Sequence, residues 1–126
     1  MAETENVSDL LKKMAVEWDE RARENARHYI VNSRETWTDE EFYNGGRQAV
    51  ANDILTDMEN ICQGADPKQM KVLDIGCGSG RVTRALAELF GEAHGVDVSG
   101  EMIRLARAAC FSHPNAFFYQ NNGMDL

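Results

Sequence analysis

Apolar residues in the first part of the chain recur at the spacing of a helix. Val7, Leu10, Leu11, Met14 and Trp18 occupy positions i, i+3, i+4, i+7 and i+11, which lie on one face of an α-helix. Beyond position 20, opposite charges follow each other at intervals of three or four residues, as is typical of a solvated helical face. The pattern predicts an N-terminal helix that buries this apolar face.

A second helical segment is predicted from capping residues. Thr38 and Glu41 have the spacing of a capping box, which places the start of a helix directly after Thr38. The pair Gly45-Gly46 is expected to interrupt this helix. Four apolar residues then follow at helical spacing: Val50, Ile54, Met58 and Ile61. The pair Asp66-Pro67 supplies a stop, so the first part of the chain is predicted to be helical.

Beyond residue 70, short apolar runs alternate with helical patterns. Strands are predicted at residues 71–75, 93–98 and 116–119. Helices are expected over residues 81–90 and, with Ser99 as N-cap, up to Cys110. The order β-α-β-α-β predicts a parallel sheet with right-handed crossovers. Ligands of such sheets bind beyond the carboxyl ends of the strands, so we expect binding residues in the loops that follow them.

The distribution of charge divides the chain where the pattern does. Residues 1–70 carry 15 acidic and 8 basic side chains, whereas residues 71–126 carry 6 and 5. We therefore predict a helical N-terminal cap over residues 1–66 and part of an α/β domain over residues 67–126. The net charge of −8 argues against nucleic acid or an anionic membrane as a partner, because a negative surface is repelled by both.

Composition also bounds the compartment and the chemistry. No apolar run approaches the roughly 20 residues of a membrane span, and the polar N-terminus does not have the pattern of a signal peptide. Three widely spaced cysteines, an odd number, predict reduced thiols and a cytoplasmic protein. The three histidines have no metal-binding spacing with the cysteines or with each other, so no metal site is predicted.

Three predicted strand ends converge on one candidate site. Gly76, Gly78 and Gly80 follow the first strand and let the backbone approach a ligand closely at the start of a helix. Asp97 ends the second strand, 17 residues after Gly80, where a carboxylate can accept hydrogen bonds from both hydroxyls of a ribose. The amides and glycine of residues 120–123 follow the third strand.

The residues around the glycine loop discriminate between ligand classes. A nucleoside triphosphate loop requires a lysine after the last glycine, and a dinucleotide loop requires its third glycine one residue later than Gly80. Asp74, two residues before the loop, is unfavourable beside a pyrophosphate and favourable beside an amino group or a sulfonium. The loop and Asp74 together favour a cationic nucleoside.

At this point the sequence resembles a known family. Residues 72–80 read VLDIGCGSG and residues 95–99 read GVDVS, which is similar to the class I S-adenosylmethionine-dependent methyltransferases, and among them to the small-molecule type often labelled type 11. The resemblance covers about residues 70–126 and implies a Rossmann-like α/β fold that binds S-adenosylmethionine. It also implies methyl transfer to a small-molecule acceptor.

The resemblance implies a role for each matching residue. Asp74 would bind the methionine amino group, and Asp97 would bind the ribose hydroxyls. Asn122 would hydrogen-bond to the adenine amino group, at a position where many relatives carry an aspartate. Val98 and Met102 would pack on the adenine. The remaining implied cofactor contacts come from the glycine loop and from the end of the third strand: Gly76, Cys77, Gly78, Ser79, Gly80, Gly123 and Met124.

The resemblance also implies that the sheet is incomplete over these 126 residues. The family sheet has seven strands in the order 3-2-1-4-5-7-6, and only three are predicted here, so the first strand would lie at an edge. We expect either the C-terminal half of a larger enzyme or a second copy of the chain to cover that edge. No catalytic residue is identified. A cofactor-binding module without catalysis stays an alternative, and the glycine spacing with Asp74 disfavours a nicotinamide-dependent oxidoreductase.

Overall fold

Three parallel strands and the helices that pack on them make up the computed structural model, which describes residues 7–30 and 38–123, with the side chains of 26–30 left out. The elements follow each other in this order: α1 (Val7–Ile30), α2 (Asp39–Asp53), a 3-10 turn (Leu55–Asp57), α3 (Met58–Cys62), a second 3-10 turn (Pro67–Gln69), β1 (Lys71–Ile75), α4 (Arg81–Leu89), β2 (Glu92–Asp97), α5 (Gly100–Ala109) and β3 (Ala116–Gln120).

The sheet has the order β1-β2-β3, with every pair of strands parallel. Its register places Leu73 of β1 beside His94 of β2, and His94 beside Phe117 of β3. The predicted α/β fold with β-α-β-α-β order is therefore confirmed, and its three-stranded sheet is open. Strand β1 lies at one edge, as the family resemblance implies.

The two faces of the sheet differ in burial. On one face, α4 covers Ala93 and α5 covers Phe118, and both residues are buried in apolar clusters. On the other face, Leu73 and Ile75 are 48% and 67% exposed. Phe117 on that face stacks on His94 with ring centroids 5.0 Å apart and is also exposed. Strand β1 therefore has the apolar composition of a central strand, although it lies at the edge of the sheet and two of its apolar side chains are exposed.

Helix α2 begins at the predicted cap but runs past the predicted interruption. The Thr38 hydroxyl accepts a hydrogen bond from the Glu41 N–H at 3.1 Å, which confirms the N-cap. The prediction that Gly45-Gly46 interrupts the helix was wrong, because the helix continues to Asp53. A Cβ on Gly46 would lie 2.2 Å from the Arg81 carbonyl oxygen, so this glycine lets α2 approach the backbone of α4.

The predicted helical pattern of residues 50–61 is split by a 3-10 turn. The hydroxyl of Thr56 donates to the Asn52 carbonyl oxygen at 3.1 Å. A side-chain donor thus reaches the carbonyl that the next helical N–H would use, which is how threonine competes with helix continuation. Helix α2 ends at Asp53, and α3 starts at Met58.

Helix α1 forms as predicted, but only Leu11 and Trp18 of the predicted apolar face are covered. Val7, Leu10 and Met14 are 61%, 47% and 38% exposed, so this part of the prediction was wrong. The covered positions on the helix recur at i, i+4, i+7 and i+11: Leu11, Ala15, Trp18 and Ala22. The covered face thus includes two alanines, which a pattern of large apolar residues does not reveal.

The helical elements pack directly on the α/β part, since α1 contacts α5 and α2 contacts α4. Arg47 of α2 makes two hydrogen bonds of 2.8 Å to the Glu88 carboxylate of α4. The boundary after residue 66 stays a prediction. Within the described residues, no helix combines the length and the apolar character that crossing a membrane requires.

Candidate functional site

The loop between β1 and α4 is fixed to the end of β2 by backbone hydrogen bonds. The N–H groups of Gly76 and Cys77 both donate to the Val96 carbonyl, at 2.8 and 3.0 Å. Gly80 caps α4 at φ 88°, in the left-handed region, and a Cβ there would lie 3.0 Å from the Phe118 ring. The sequence therefore needs glycine at this position both for conformation and for space.

Asp97, at the end of β2, is held by two backbone donors. One carboxylate oxygen accepts from the Gly78 N–H and the other from the Ser99 N–H, each at 2.9 Å. Gly78 belongs to the loop after β1, and Ser99 is the N-cap of α5. The carboxylate thus joins the ends of two strands, as the sequence predicted from their convergence.

Asp74, near the end of β1, is held by a side chain instead. Its carboxylate accepts a hydrogen bond of 2.7 Å from the hydroxyl of Thr83 in α4. Burial raises the pKa of Asp74, and the nearby charge of Asp97 raises it further. The Thr83 hydrogen bond and the positive charge of Arg81 act in the opposite direction.

The electrostatics of the two strand ends favour a positive ligand. The charge of Asp97 is close enough to raise the pKa of Asp74, so a further negative charge beside these carboxylates is unfavourable. A cationic group placed beside Asp74 would lower its pKa and relieve the cost of burying its charge. Geometry and charge therefore agree with the cationic ligand expected from the sequence.

Cys77 lies in the loop as a buried thiol. Burial raises the pKa of this thiol well above its usual range, and the charges of Asp97 and Asp74 raise it further. Its sulfur is 3.5 Å from the Gly78 carbonyl oxygen. A protonated, buried thiol is a poor nucleophile, which supports the interpretation of Cys77 as a small residue that fits a tight loop.

Ser79 brings an unpartnered hydroxyl to the same loop. The residue is 5% exposed, and its Oγ has no hydrogen-bond partner among the described residues. Ser79 also lines a cavity of about 500 Å³, whose other walls come from α1, α2 and α5. The phenol of Tyr43 donates to the Ser79 carbonyl at 3.4 Å and closes one side of the loop. A buried hydroxyl without a partner is unfavourable unless a ligand supplies one.

The third strand end lies beside the second. The Asn121 N–H donates to the Asp97 carbonyl at 3.0 Å, and Gly123 adopts a φ of 79°. Asn122 is exposed, and the neighbouring Val98 is half-buried. These residues therefore lie at the strand ends, where the sequence analysis expected them.

The cofactor contacts of two methionines stay predictions. Met102, in the first turn of α5, is 1% exposed, so its contact with an adenine is not tested by this structure. Met124 lies outside the described residues.

Sequence reasoning missed two residues that hold the site. Thr83 could have been found, because it lies within the first turn of α4, directly after the glycine loop. Asp19 of α1 could not, since its carboxylate accepts from the Ser99 hydroxyl and from the Glu101 N–H, 80 and 82 residues further along the chain.

A family of known domains matches this part of the chain. The model described as "Methyltransferase domain" matches residues 72–126, which contain all three strands except the first residue of β1. The match therefore includes the glycine loop and both carboxylates.

Two curated relatives are similar over part of their length. The dTDP-3-amino-3,6-dideoxy-alpha-D-glucopyranose N,N-dimethyltransferase of Streptomyces fradiae is 30% identical over 70 residues, which cover 56% of this chain and 26% of the relative. The malonyl-[acyl-carrier protein] O-methyltransferase of Halalkalibacterium halodurans is 42% identical over 53 residues, which cover 40% and 20%. The chain thus spans about a quarter or less of these relatives.

A solved structure shares the fold. Phosphoethanolamine N-methyltransferase 1 of Haemonchus contortus, in complex with phosphoethanolamine and S-adenosylhomocysteine, superposes with a TM-score of 0.67 at 16% identity. The similarity covers 96% of this chain and 23% of that one, so it includes the helices before the sheet. Residues 72–126 are therefore similar to a methyltransferase domain, and the fold of the chain is similar to the corresponding part of a solved methyltransferase.

Proposed function

We propose that this protein binds S-adenosylmethionine and transfers its methyl group to a small-molecule acceptor. The observation that carries the proposal is the 2.9 Å hydrogen bond between the Gly78 N–H and the Asp97 carboxylate. It joins the glycine loop and the end of β2 into one surface, with Asp74 beside it. The similarity of residues 72–126 to a methyltransferase domain supports the same function.

Asp97 is the residue that we assign to the ribose. Each of its oxygens accepts one backbone N–H, and an ionised carboxylate has about four acceptor positions. Acceptor capacity therefore remains for both ribose hydroxyls. Since Gly78 and Ser99 already orient the carboxylate, binding would require little rearrangement.

Asp74 and the loop are assigned to the methionine part. Asp74 would accept a hydrogen bond from the amino group, whose positive charge offsets the burial that raises the pKa of this carboxyl. The backbone of Gly76, Cys77 and Gly80 would line the same part. The unpartnered hydroxyl of Ser79 fits a polar ligand beside the loop, because such a ligand would satisfy it.

The adenine is assigned to the ends of β2 and β3. Val98 would pack on the ring, and Asn122 and Gly123 would contact its polar edge. Met102 and Met124 are further proposed contacts of the adenine.

The bound cofactor supplies a methyl group that is attached to a positively charged sulfur. After the transfer, that sulfur is part of a neutral thioether. The chain therefore has to orient the donor, exclude water and hold the acceptor in line, and these are positioning effects. A general base is needed only where the acceptor loses a proton.

The acceptor is proposed to be a small molecule without a further assignment. One named relative is an N,N-dimethyltransferase for a nucleotide amino sugar and the other an O-methyltransferase for an acyl-carrier-protein substrate. The stretch that both share with this chain thus supports a common methyl donor and not a common acceptor.

Binding measurements test the proposal against its alternatives. S-adenosylmethionine or S-adenosylhomocysteine at 100 times its dissociation constant should stabilise the protein by about 2.7 kcal/mol, and NAD should give no shift. A shift with NAD alone would favour an oxidoreductase. No shift with either adenosyl ligand would overturn the proposal. Binding without methylated product, in a screen of small acceptors with labelled cofactor, would favour the non-catalytic module.

Two further proposals concern the surroundings of the chain. The three free cysteines support a cytoplasmic location. Strand β1 pairs only with β2, and its Leu73 and Ile75 are exposed on one face of the sheet. The open edge and the exposed face support coverage by further elements of a larger protein or by a second copy. A solution molar mass tests the second proposal, because a stable 14.1 kDa monomer would contradict it.

A further inference from the structure

A carboxylate from α1 caps the helix that follows the ribose-binding strand. Asp19 accepts a hydrogen bond from the Ser99 hydroxyl and a second one, at 3.1 Å, from the Glu101 N–H. The Ser99 hydroxyl in turn accepts from the Met102 N–H at 3.1 Å. The first turn of α5 therefore has two caps, its own N-cap serine and an aspartate 80 residues earlier in the chain.

The position of the Ser99 hydroxyl depends on the Asp19 carboxylate, which accepts its hydrogen bond. Ser99 is 0% exposed, so its hydroxyl is shielded from water and depends on protein partners. A negative charge at a helix N-terminus is also favoured by the helix dipole. Removing the Asp19 carboxylate would leave the Ser99 hydroxyl without its acceptor and the Glu101 N–H without the cap.

The same serine orients Asp97. The Ser99 N–H donates to one Asp97 oxygen at 2.9 Å, while the Gly78 N–H holds the other. A continuous chain of hydrogen bonds thus runs from Asp19 through Ser99 and Asp97 to the glycine loop. A shift of Ser99 would move one of the two donors that aim the carboxylate.

Helix α1 reaches the site at a second point. A Cβ on Gly123 would lie 2.7 Å from a methyl carbon of Leu11 and 3.2 Å from a methyl carbon of Val98. Leu11 therefore packs at the end of β3 beside Val98, on the side assigned to the adenine. Asp19 and Leu11 together hold α1 against the strand ends that carry Asp97 and Val98.

We propose that Asp19 is a positioning residue for cofactor binding, which aims Asp97 at the ribose through Ser99. The assignment rests on the proposed function. It differs from a purely structural cap in one measurable respect, since only a positioning role makes the effect of Asp19 depend on the ribose hydroxyls.

The test compares two ligands on three proteins. Isothermal titration calorimetry measures the affinity of S-adenosylhomocysteine and of its 2′,3′-dideoxyribose analogue, which lacks both ribose hydroxyls, for the wild-type chain, for Asp19→Ala and for Glu20→Ala. Glu20 is the exposed neighbour of Asp19 on α1, so Glu20→Ala makes the same charge change without touching Ser99. We expect Asp19→Ala to bind S-adenosylhomocysteine about tenfold more weakly and the analogue within about twofold of wild type. Glu20→Ala should match wild type with both.

Each outcome decides the assignment. Equal weakening with both ligands would make Asp19 a structural cap and overturn the proposal, as would unchanged affinity. If the wild-type chain binds neither ligand, the proposed function fails and the assignment with it, whereas a failure confined to Asp19→Ala leaves the function standing. Circular dichroism of the ligand-free variants checks the fold. If Asp19→Ala is unfolded, Asp19→Glu, which keeps the charge but displaces it, should show the same selective loss.

Discussion

The ends of β1 and β2 each carry an aspartate, but the two carboxylates are held by different kinds of donor. Asp97 accepts from two backbone N–H groups, whereas Asp74 accepts from one side-chain hydroxyl, that of Thr83. Burial raises the pKa of Asp74. Backbone donors fix Asp97 as an oriented acceptor, while Asp74 responds to pH and to the charge of a ligand. The end of β2 therefore contributes an oriented acceptor, and the end of β1 contributes a charge that depends on pH.

The largest effect is expected at the end of β2. Asp97→Ala removes the acceptor of both proposed ribose hydrogen bonds, and bonds to a charged group are worth about 1.5–3 kcal/mol each. We expect the affinity for S-adenosylhomocysteine to fall by about 100-fold, which corresponds to about 2.8 kcal/mol. Calorimetric titration measures this loss.

An exposed aspartate serves as the control for that change. Asp53→Ala, at the end of α2, removes the same charge far from the strand ends in sequence and should leave the affinity unchanged. If the Asp97→Ala protein is folded and binds as tightly as wild type, the assignment of Asp97 to the ribose hydroxyls is contradicted.

At the end of β1, substitution should weaken binding less and change its pH dependence. Asp74→Asn keeps an acceptor for the Thr83 hydroxyl but loses the negative charge, so we expect about tenfold weaker binding of S-adenosylmethionine at pH 8. Titrations from pH 4 to pH 8 should show wild-type affinity falling as the pH is lowered and a flatter profile for Asp74→Asn.

The sign of this dependence follows from the raised pKa of Asp74. In the ligand-free protein, a raised pKa means that this group contributes stability below 3.8, the ordinary value, and that the contribution is lost as the pH rises through the raised pKa. A cationic ligand has the opposite preference, since it binds the ionised carboxylate. Its affinity therefore increases over the same pH window. A profile for Asp74→Asn as steep as that of wild type would assign the titration to another group.

A smaller effect is expected from the residue that supports Asp74. The Thr83 hydrogen bond lowers the pKa of Asp74, so Thr83→Val should raise this pKa further and move the pH profile of binding to higher pH. Affinity at pH 8 should stay within about threefold of wild type, because the charge is still present there. Thr56→Val, which removes an exposed hydroxyl from the turn after α2, should leave the profile in place. An unshifted profile for Thr83→Val would mean that the hydroxyl does not tune Asp74.

The parts of this fold that were predicted correctly have local signals. Strands β1 and β3 contain short apolar runs, and the caps Thr38 and Ser99 hydrogen-bond to residues three positions further on. The glycine loop is equally local, because its conformation depends on the residues that form it.

The parts that were wrong or missed depend on distant partners. Helix α2 runs through Gly46, where the Arg81 backbone of α4 leaves no room for a side chain, and no neighbour of Gly46 in sequence reveals this contact. Helix α1 buries Ala22 while Met14 stays exposed. Asp19 meets Ser99 across 80 positions. Sequence periodicity identifies an element but not the surface that it packs on.

The smallest effect is expected between the two strand ends, at Cys77. Burial and the charges of both aspartates raise the pKa of this thiol, so it stays protonated and supplies no charge to the site. Cys77→Ala should therefore change the affinity for S-adenosylhomocysteine by less than about twofold, since the loop contributes through its backbone. Thiol labelling of the wild-type chain gives a second measurement, in which half-buried Cys62 should react before Cys77 and Cys110. A tenfold loss of affinity, or Cys77 reacting first, would mean that the thiol itself takes part in binding, and the division of geometry and charge between Asp97 and Asp74 would then be incomplete.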